Sequence, residues 1–304
     1  MNDRAVVLGG TGFLGRQVCA GLAARGCDVV AIARRSADVP GARIVTADLA
    51  TALARELFGD LRASLVVNAA GALWGAVTEE QMEYSNTRLV ENVLAGLSPR
   101  TRFVQFGTVH EHGSVPGGVR LDASVPCAPR TPYGRTKNLA TRAVLAATAR
   151  GAVDGVVLRL SNVLGPGIPE ASLPGKVAAV LAAAAREGSS ATLDLFALRA
   201  SRDFFDVRDL VSAVALAART PIPGGVVLLG SGRSISVRSL VTDLVEISGV
   251  PARLSERAPQ QTASHRSAEG AQEVDPGPAS AVLNWQARHT LDDSLRALWE
   301  SVRP

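Results

Sequence analysis

The stretch that most constrains the fold is Ala5 to Gly15, AVVLGGTGFLG. An apolar run, Ala5 to Leu8, leads into Gly9, Gly10, Gly12 and Gly15. Leu14, Val18 and Leu22 then recur at helical spacing. This is the pattern of a strand, a tight turn and a helix. Glycines let the backbone approach a ligand closely, and the open amides at a helix start suit a pyrophosphate. Two overlapping spacings are present, Gly10-x-Gly12-x-x-Gly15 and Gly9-x-x-Gly12-x-x-Gly15. Glycine turns are common between strands and helices. Placement at the first strand-to-helix junction is what favours a dinucleotide site here.

The pattern continues downstream. Residues 26–33 (GCDVVAIA) predict a second strand, and Arg34, Arg35 and Ser36 follow it at once. The residue closing that strand meets the adenosine ribose in such sheets, where NAD selection calls for a carboxylate. The nearest acid, Asp28, starts the strand instead. Two guanidinium groups suit a 2′-phosphate, so the expected cofactor is NADP(H). Residues 44–49 (IVTADL) predict a third strand ending at Asp48, which either accepts from the adenine amino group or caps the next helix. Residues 65–68 (LVVN) predict a fourth strand. The small residues Ala69, Ala70 and Gly71 after it let a cofactor lie over the strand end. A helix over 83–97 carries Asn86 and Thr87, and a fifth strand over 102–106 delivers Thr108 into a loop. A helix opens near Tyr133, and a sixth strand, 156–160, ends at the turn 161–167 (SNVLGPG). Strands alternating with helices over the first 165 residues predict an α/β, doubly wound parallel sheet.

Beyond residue 165 the alternation loosens. Helices are expected over 173–187, 207–218, 235–248 and 291–302, strands over 191–198 and 225–229, and a polar loop over 259–278. The expected division is a nucleotide-binding domain, 1–165, and a smaller substrate-binding cap, 166–304, with segments around 203–230 returning to the first domain. Hydrophobic residues make up 47% and charged residues 20% of the chain, enough for a sizeable core and against overall disorder. The net charge of +4 is modest and no basic run is present, so nucleic acid is not an expected partner. Cys19, Cys27 and Cys127 form no C-x-x-C pair, which argues for reduced thiols in a cytoplasmic protein. No apolar span approaches membrane length, and the first apolar run is too short for a signal peptide.

Tyr133 and Lys137 are four residues apart and share a helix face. A nearby ammonium favours phenolate and brings a tyrosine toward use as a general acid or base. A hydroxyl at Thr108 would hold a substrate carbonyl while Tyr133 transfers the proton. His110, Glu111 and His112 invite a metal-site reading. Only His265 and His289 remain to complete it, so no metal is expected, and loop residues facing substrate explain the triplet better. Trp74, Phe204 and Phe205 are candidates to stack on a base or sugar, or simply for the core.

Jointly these motifs resemble the extended short-chain dehydrogenase/reductases of the NAD-dependent epimerase/dehydratase type. The resemblance runs through Gly9-Gly10-Thr11-Gly12-Phe13-Leu14-Gly15, Asp48-Leu49, Asn68-Ala69-Ala70-Gly71, Asn86, Thr108 and Tyr133-x-x-x-Lys137. It continues through Arg159-Leu160-Ser161-Asn162-Val163-Leu164-Gly165, Arg202-Asp203-Phe204-Phe205-Asp206-Val207-Arg208-Asp209 and Leu283-Asn284-Trp285. It implies a Rossmann-type fold and cofactor contacts from Gly9, Thr11, Gly12, Phe13, Leu14, Gly15, Asp48, Leu49, Ala69, Ala70, Gly71 and Asn86. Leu160, Asn162 and Val163 would lie beside the nicotinamide, and Lys137 would also hold the nicotinamide ribose. Substrate contacts would come from Trp74, Thr108, His110, Asn162 and Arg202, the last on sugar-nucleotide phosphates. In the family's dehydratases an Asp-Glu pair follows the catalytic threonine. Val109 and His110 stand here instead, so loss of water is disfavoured. With the NADPH expectation, this leaves reduction of a ketone, such as a nucleotide-linked 4-keto-6-deoxyhexose, by a cytoplasmic homodimer. The alternatives are a nucleotide-sugar epimerase, a reductase of another natural-product ketone, and a non-catalytic NADP sensor.

Overall fold

The computed structural model describes residues 4–51, 54–72, 77–257 and 272–304. In chain order the first half contains β1 (Arg4–Leu8), α1 (Phe13–Ala23), β2 (Asp28–Ala33), β3 (Arg43–Thr46), α2 (Ala54–Leu61) and β4 (Leu65–Asn68). It continues with α3 (Glu79–Glu83), α4 (Leu89–Gly96), β5 (Arg102–Thr108), α5 (Pro132–Ala149) and β6 (Asp154–Leu160). The second half contains β7 (Asn162–Leu164), α6 (Leu173–Glu187), β8 (Ala191–Phe196), β9 (Ser201–Asp206), α7 (Val207–Ala217) and β10 (Val226–Leu229). β11 (Ser234–Ser236), α8 (Val237–Ser248), β12 (Ala252–Arg257), α9 (Gly277–Leu283) and α10 (Leu291–Glu300) complete it.

Seven strands form one parallel sheet in the order β10-β6-β5-β4-β1-β2-β3. Successive strand residues feed opposite faces, so the near-continuous apolar runs bury both. Val7, Ala31, Val67, Val104 and Leu158 pack with α1, α7, α9 and Trp285. Val6, Leu8, Val30, Val66 and Val157 pack with α2, α4 and α5. A three-stranded sheet, β11-β9-β7, and the parallel pair β12-β8 lie in the second half. α6, β8, α8 and α10 share a separate core around Leu181, Leu193, Leu240 and Trp299. No helix among the described residues is long and apolar enough to cross a membrane.

Four sequence expectations shift. The third strand ends at Thr46, which leaves Asp48 in the loop beyond it. The 161–167 turn contains β7, because Asn162 to Leu164 pair in parallel with Phe204 to Asp206. The 201–206 stretch, for which no element was expected, is itself a strand, and the polar segment near 278 gives way to α9 at Gly277. The helix around Asn86 begins earlier, at Glu79, and its middle turn, Tyr84–Arg88, widens to a π-helix. Residues 259–271 of the polar loop expectation lie outside the described residues.

Candidate active site

β1 and β4 are neighbours whose chain connections leave in opposite directions, and ligands bind such sheets in the crevice outside the strand ends at this switch point. Gly9 adopts φ +72°, and a Cβ there would stand 2.8 Å from Ala70 Cα. A Cβ on Gly15 would stand 2.1 Å from Gly9 O, so α1 starts hard against the turn. Gly12 is the N-cap of α1, is exposed, and has no side chain to satisfy the helix amides. The turn is therefore closed to side chains where it packs and open where the amides point. That cradle fits a pyrophosphate. Thr11, Phe13 and Leu14 flank it, half-buried. Phe13 Cδ2 lies 4.0 Å from where a Gly167 Cβ would be, and Gln17 Nε2 donates to Pro166 O at 3.2 Å, tying α1 to the loop after β7.

Arg34, Arg35 and Ser36 leave β2 exposed at the same end of the sheet. Asp28, at the opposite end, pairs with Arg4 at 2.7 Å. One Asp48 oxygen accepts Ala50 N at 3.1 Å and the other accepts Tyr84 Oη at 3.2 Å, with Arg34 and Arg88 acting on the same phenol electrostatically. Tyr84 was not singled out in the sequence. Leu49 and Leu160 turn into the two cores of the large sheet. Asn68 bonds Gln105 Oε1 at 2.8 Å and receives Ala70 N at 3.0 Å, which shapes the Ala69-Ala70-Gly71 ledge. Asn86 is buried in the π turn, where its amide binds both the N and O of Ala72 and donates to Thr136 Oγ1 at 3.1 Å. It thereby fastens the ledge to α5. Trp74 and His265 lie outside the described residues.

Thr108 closes β5, and its Oγ1 accepts His110 N at 3.3 Å across the 3₁₀ turn Val109–His112. Thr131 caps α5 by accepting Gly134 N at 3.1 Å, and Pro132 sits at the first helical position. Gly134 lets α5 seat against that turn, because a Cβ there would meet His110 O at 2.6 Å. The Tyr133 ring consequently stands edge-on to His110, with centroids 6.2 Å apart at 67°. Lys137 is buried one turn on, its Nζ 4.0 Å from a Gly71 Cβ position. Burial pulls the Lys137 ammonium down to about 8, opposed by the charge of Glu111. Thr108, Tyr133, Lys137 and the ledge thus converge beside the glycine turn. Asn162 follows β6 and donates to Asp203 O at 2.9 Å. Arg202 is buried on β9, opposite Ile235 of β11, and donates to Ser201 O at 2.8 Å. Asp203 beside it receives the amides of Ser231, Gly232 and Val274 and so anchors the return loops.

The reading of His110, Glu111 and His112 as a substrate-facing triplet needs correction. Only His110 adjoins Tyr133. Glu111 and His112 are fully buried and turn inward to Arg159, at 3.0 and 3.4 Å, because Arg159 on the neighbouring strand β6 offers its guanidinium to both. Burial, with the Arg159 charge beside it, lowers His112 to about 4 from 6.5. Unfolded chains therefore bind a proton here that the folded protein refuses, and stability falls as pH drops from 6.5 toward 4. The expected loss is of order 1–3 kcal/mol, read as a lower Tm at pH 5 than at pH 7. His112→Gln flattens that loss. Asp206 is the N-cap of α7 and accepts Arg208 N at 2.7 Å. A cavity of about 860 Å³ opens at the other end of the sheet, beside Ala5, Leu65 and Trp285, and is lined by none of the glycine turn, Thr108, Tyr133 or Lys137.

A glycine cradle at the switch point beside a Thr-Tyr-Lys set defines an NAD(P)-dependent oxidoreductase. The chain belongs to the NAD dependent epimerase/dehydratase family, whose model matches residues 5–230. It is 43% identical over 305 aligned positions to dTDP-6-deoxy-L-talose 4-dehydrogenase (NAD(P)(+)) of Kitasatospora kifunensis, covering 97% of this chain and 94% of the relative. It is 29% identical to UDP-glucose 4-epimerase of Azospirillum brasilense, covering 85% and 82%. Among solved structures, RMD from Pseudomonas aeruginosa complexed with NADPH superposes with a TM-score of 0.82 at 22% identity, with 98% of both chains covered. UDP-glucose 4-epimerase of Thermotoga maritima superposes with a TM-score of 0.84 at 21% identity, again over 98% of both chains.

Proposed function

We propose that the protein reduces the 4-ketone of a nucleoside-diphosphate 4-keto-6-deoxyhexose, with NADPH as the preferred reductant. The observation that carries this reading is the 43% identity, over almost the full length of both chains, to a dTDP-6-deoxyhexose 4-dehydrogenase. Reduction at C4 is the reverse of that reaction. The cofactor, when bound, supplies the hydride that goes to the ketone carbon. Tyr133 gives the proton to the ketone oxygen. Thr108 donates a hydrogen bond to that oxygen and aims the carbonyl. Lys137 provides the positive charge that favours the phenolate left behind and binds the ribose hydroxyls. Gly9, Gly12 and the α1 amides hold the pyrophosphate, Arg34 and Arg35 the 2′-phosphate. Arg202 holds the substrate diphosphate, with Asp203 keeping its strand and the return loops in place.

The test is NADPH oxidation with a dTDP-4-keto-6-deoxyhexose, followed by product identification. Net formation of the C4 alcohol supports the reading. Interconversion of C4 epimers without net NADPH consumption would make the protein an epimerase. Arg202→Ala is expected to raise the substrate KM at least tenfold, consistent with a lost charged hydrogen bond of about 1.5–3 kcal/mol, and to leave NADPH affinity unchanged. Equal activity of this variant on a ketone without phosphate removes the nucleotide from the proposal.

Cofactor choice is tested separately. Arg34→Ala with Arg35→Ala should weaken NADPH binding by about 1.5–3 kcal/mol and leave NADH binding nearly intact. Calorimetric titration of both cofactors reads the difference. Wild-type protein binding NADH as tightly as NADPH would contradict the preference.

A further inference from the structure

The turn after β5 carries an acid that the proposed reaction does not use. Glu111 is 0% exposed. One of its oxygens accepts Thr108 N at 2.8 Å and the other accepts Arg159 Nε at 3.0 Å. Gly107 makes room for the pair: a Cβ there would lie 2.6 Å from Glu111 Oε1 and 3.0 Å from Arg159 Cγ. Burying two ions in this way costs several kcal/mol, and apolar residues of similar volume commonly stabilise a core at least as well. Packing alone does not account for the pair. Its position does, because the carboxylate reaches the Thr108 backbone directly, and its 3₁₀ turn packs against α5 at Gly134, one helical turn before Lys137, on whose ammonium its charge acts.

We propose that Glu111 is a positioning residue that fixes Thr108 through its amide and supplies the negative charge that keeps Lys137 an ammonium in a dry site. The proposal rests on the reading of Thr108 and Lys137 as catalytic. The other titratable and charged groups in these surroundings are Tyr133 on the same helix, His110 on the 3₁₀ turn and Arg159 on β6. His112 and Cys127 adjoin Arg159, and Cys127 also feels the Glu111 charge. Asn86 and Thr136 are uncharged. Neutralising Glu111 removes the counter-charge that acts on Lys137 and separately leaves Arg159 as an uncompensated buried cation.

The chain's lysines are Lys137 and Lys176 alone, so ¹³C labelling of lysine Cε resolves the titration of Lys137 directly. Lys176 is exposed, and its signal is assigned by loss in Lys176→Arg. In cofactor-free protein, Glu111→Gln is expected to lower the Lys137 midpoint by about one pH unit or more. The alkaline limb of kcat should move down with it while KM changes little. Glu111→Asp keeps the charge, so the midpoint should hold while kcat falls through the shortened reach to Thr108. Should Glu111→Gln not fold, the double variant Glu111→Gln, Arg159→Gln leaves no orphan charge. Its midpoint should fall too, because Glu111 and not Arg159 acts on Lys137. An unmoved midpoint in Glu111→Gln, or in the double variant where the single one does not fold, overturns the proposal. The titration needs no substrate, so a shifted midpoint in a protein inactive on nucleotide sugars would sink the proposed function and leave this one standing.

Discussion

Tyr133→Phe is expected to slow single-turnover NADPH oxidation by about 10²–10⁴ while cofactor and nucleotide sugar bind almost as before. The aromatic ring keeps its edge contact with His110 and its place in the first turn of α5, so the site retains its shape. What disappears is the hydroxyl, the group proposed to carry the proton. The comparison to make is single-turnover rate against equilibrium binding in the same preparation. A variant that turns over at the wild-type rate would move the proton donor elsewhere. His110 is then the first suspect, because it touches Tyr133, whereas His112 faces Arg159.

A comparable loss is expected from a single methyl group at Gly15. Alanine there places its Cβ 2.1 Å from Gly9 O and 2.8 Å from Gly10 Cα, both main-chain atoms with little room to retreat. Overpacking of this kind costs about 1–3 kcal/mol, and relief comes only from displacing the turn that forms the cofactor cradle. Gly15→Ala should therefore lower NADPH affinity more than tenfold, about 1.4 kcal/mol, together with Tm. Gly59→Ala is the control. Gly59 lies in α2 with no neighbour within reach of a new Cβ, and alanine there should raise stability by about 0.5–1 kcal/mol. Equal NADPH affinity in Gly15→Ala and wild type would show that the turn adapts and does not hold the pyrophosphate.

The parts of this structure legible in the sequence are those made by local pattern. The glycine turn after β1, the exposed arginines after β2 and the Tyr133–Lys137 spacing each depend on a few consecutive residues. Features made by distant segments were not legible. Asp203 fell in no expected element, yet its carboxylate gathers amides from Ser231, Gly232 and Val274. Glu111 looked like a loop residue because its partner, Arg159, comes from a strand 48 positions on. The small glycine at 107 was the one local hint, since a buried strand position lacking a side chain marks something large opposite it. Leu49 shows the converse. Its family position suggested the cofactor, while a short third strand turns it into the core.

The seventh strand of the large sheet, β10, and the helix α9 with Trp285 reach the nucleotide half only after the chain has passed through β7, α6, β8 and β9. Phe205 meets Trp285 edge-on at 6.0 Å, and Trp285 Nε1 donates to Asp209 O at 2.9 Å, so the tail is bolted to α7. A ribosome making this protein from its first residue therefore exports an unfinished cradle for most of synthesis. The sheet face that α1 and α7 cover in part is closed only when α9 and Trp285 emerge. Shortened products ending anywhere before that tryptophan would leave apolar surface open, and the choice between a complete enzyme and a target for proteolysis falls within the last stretch of translation.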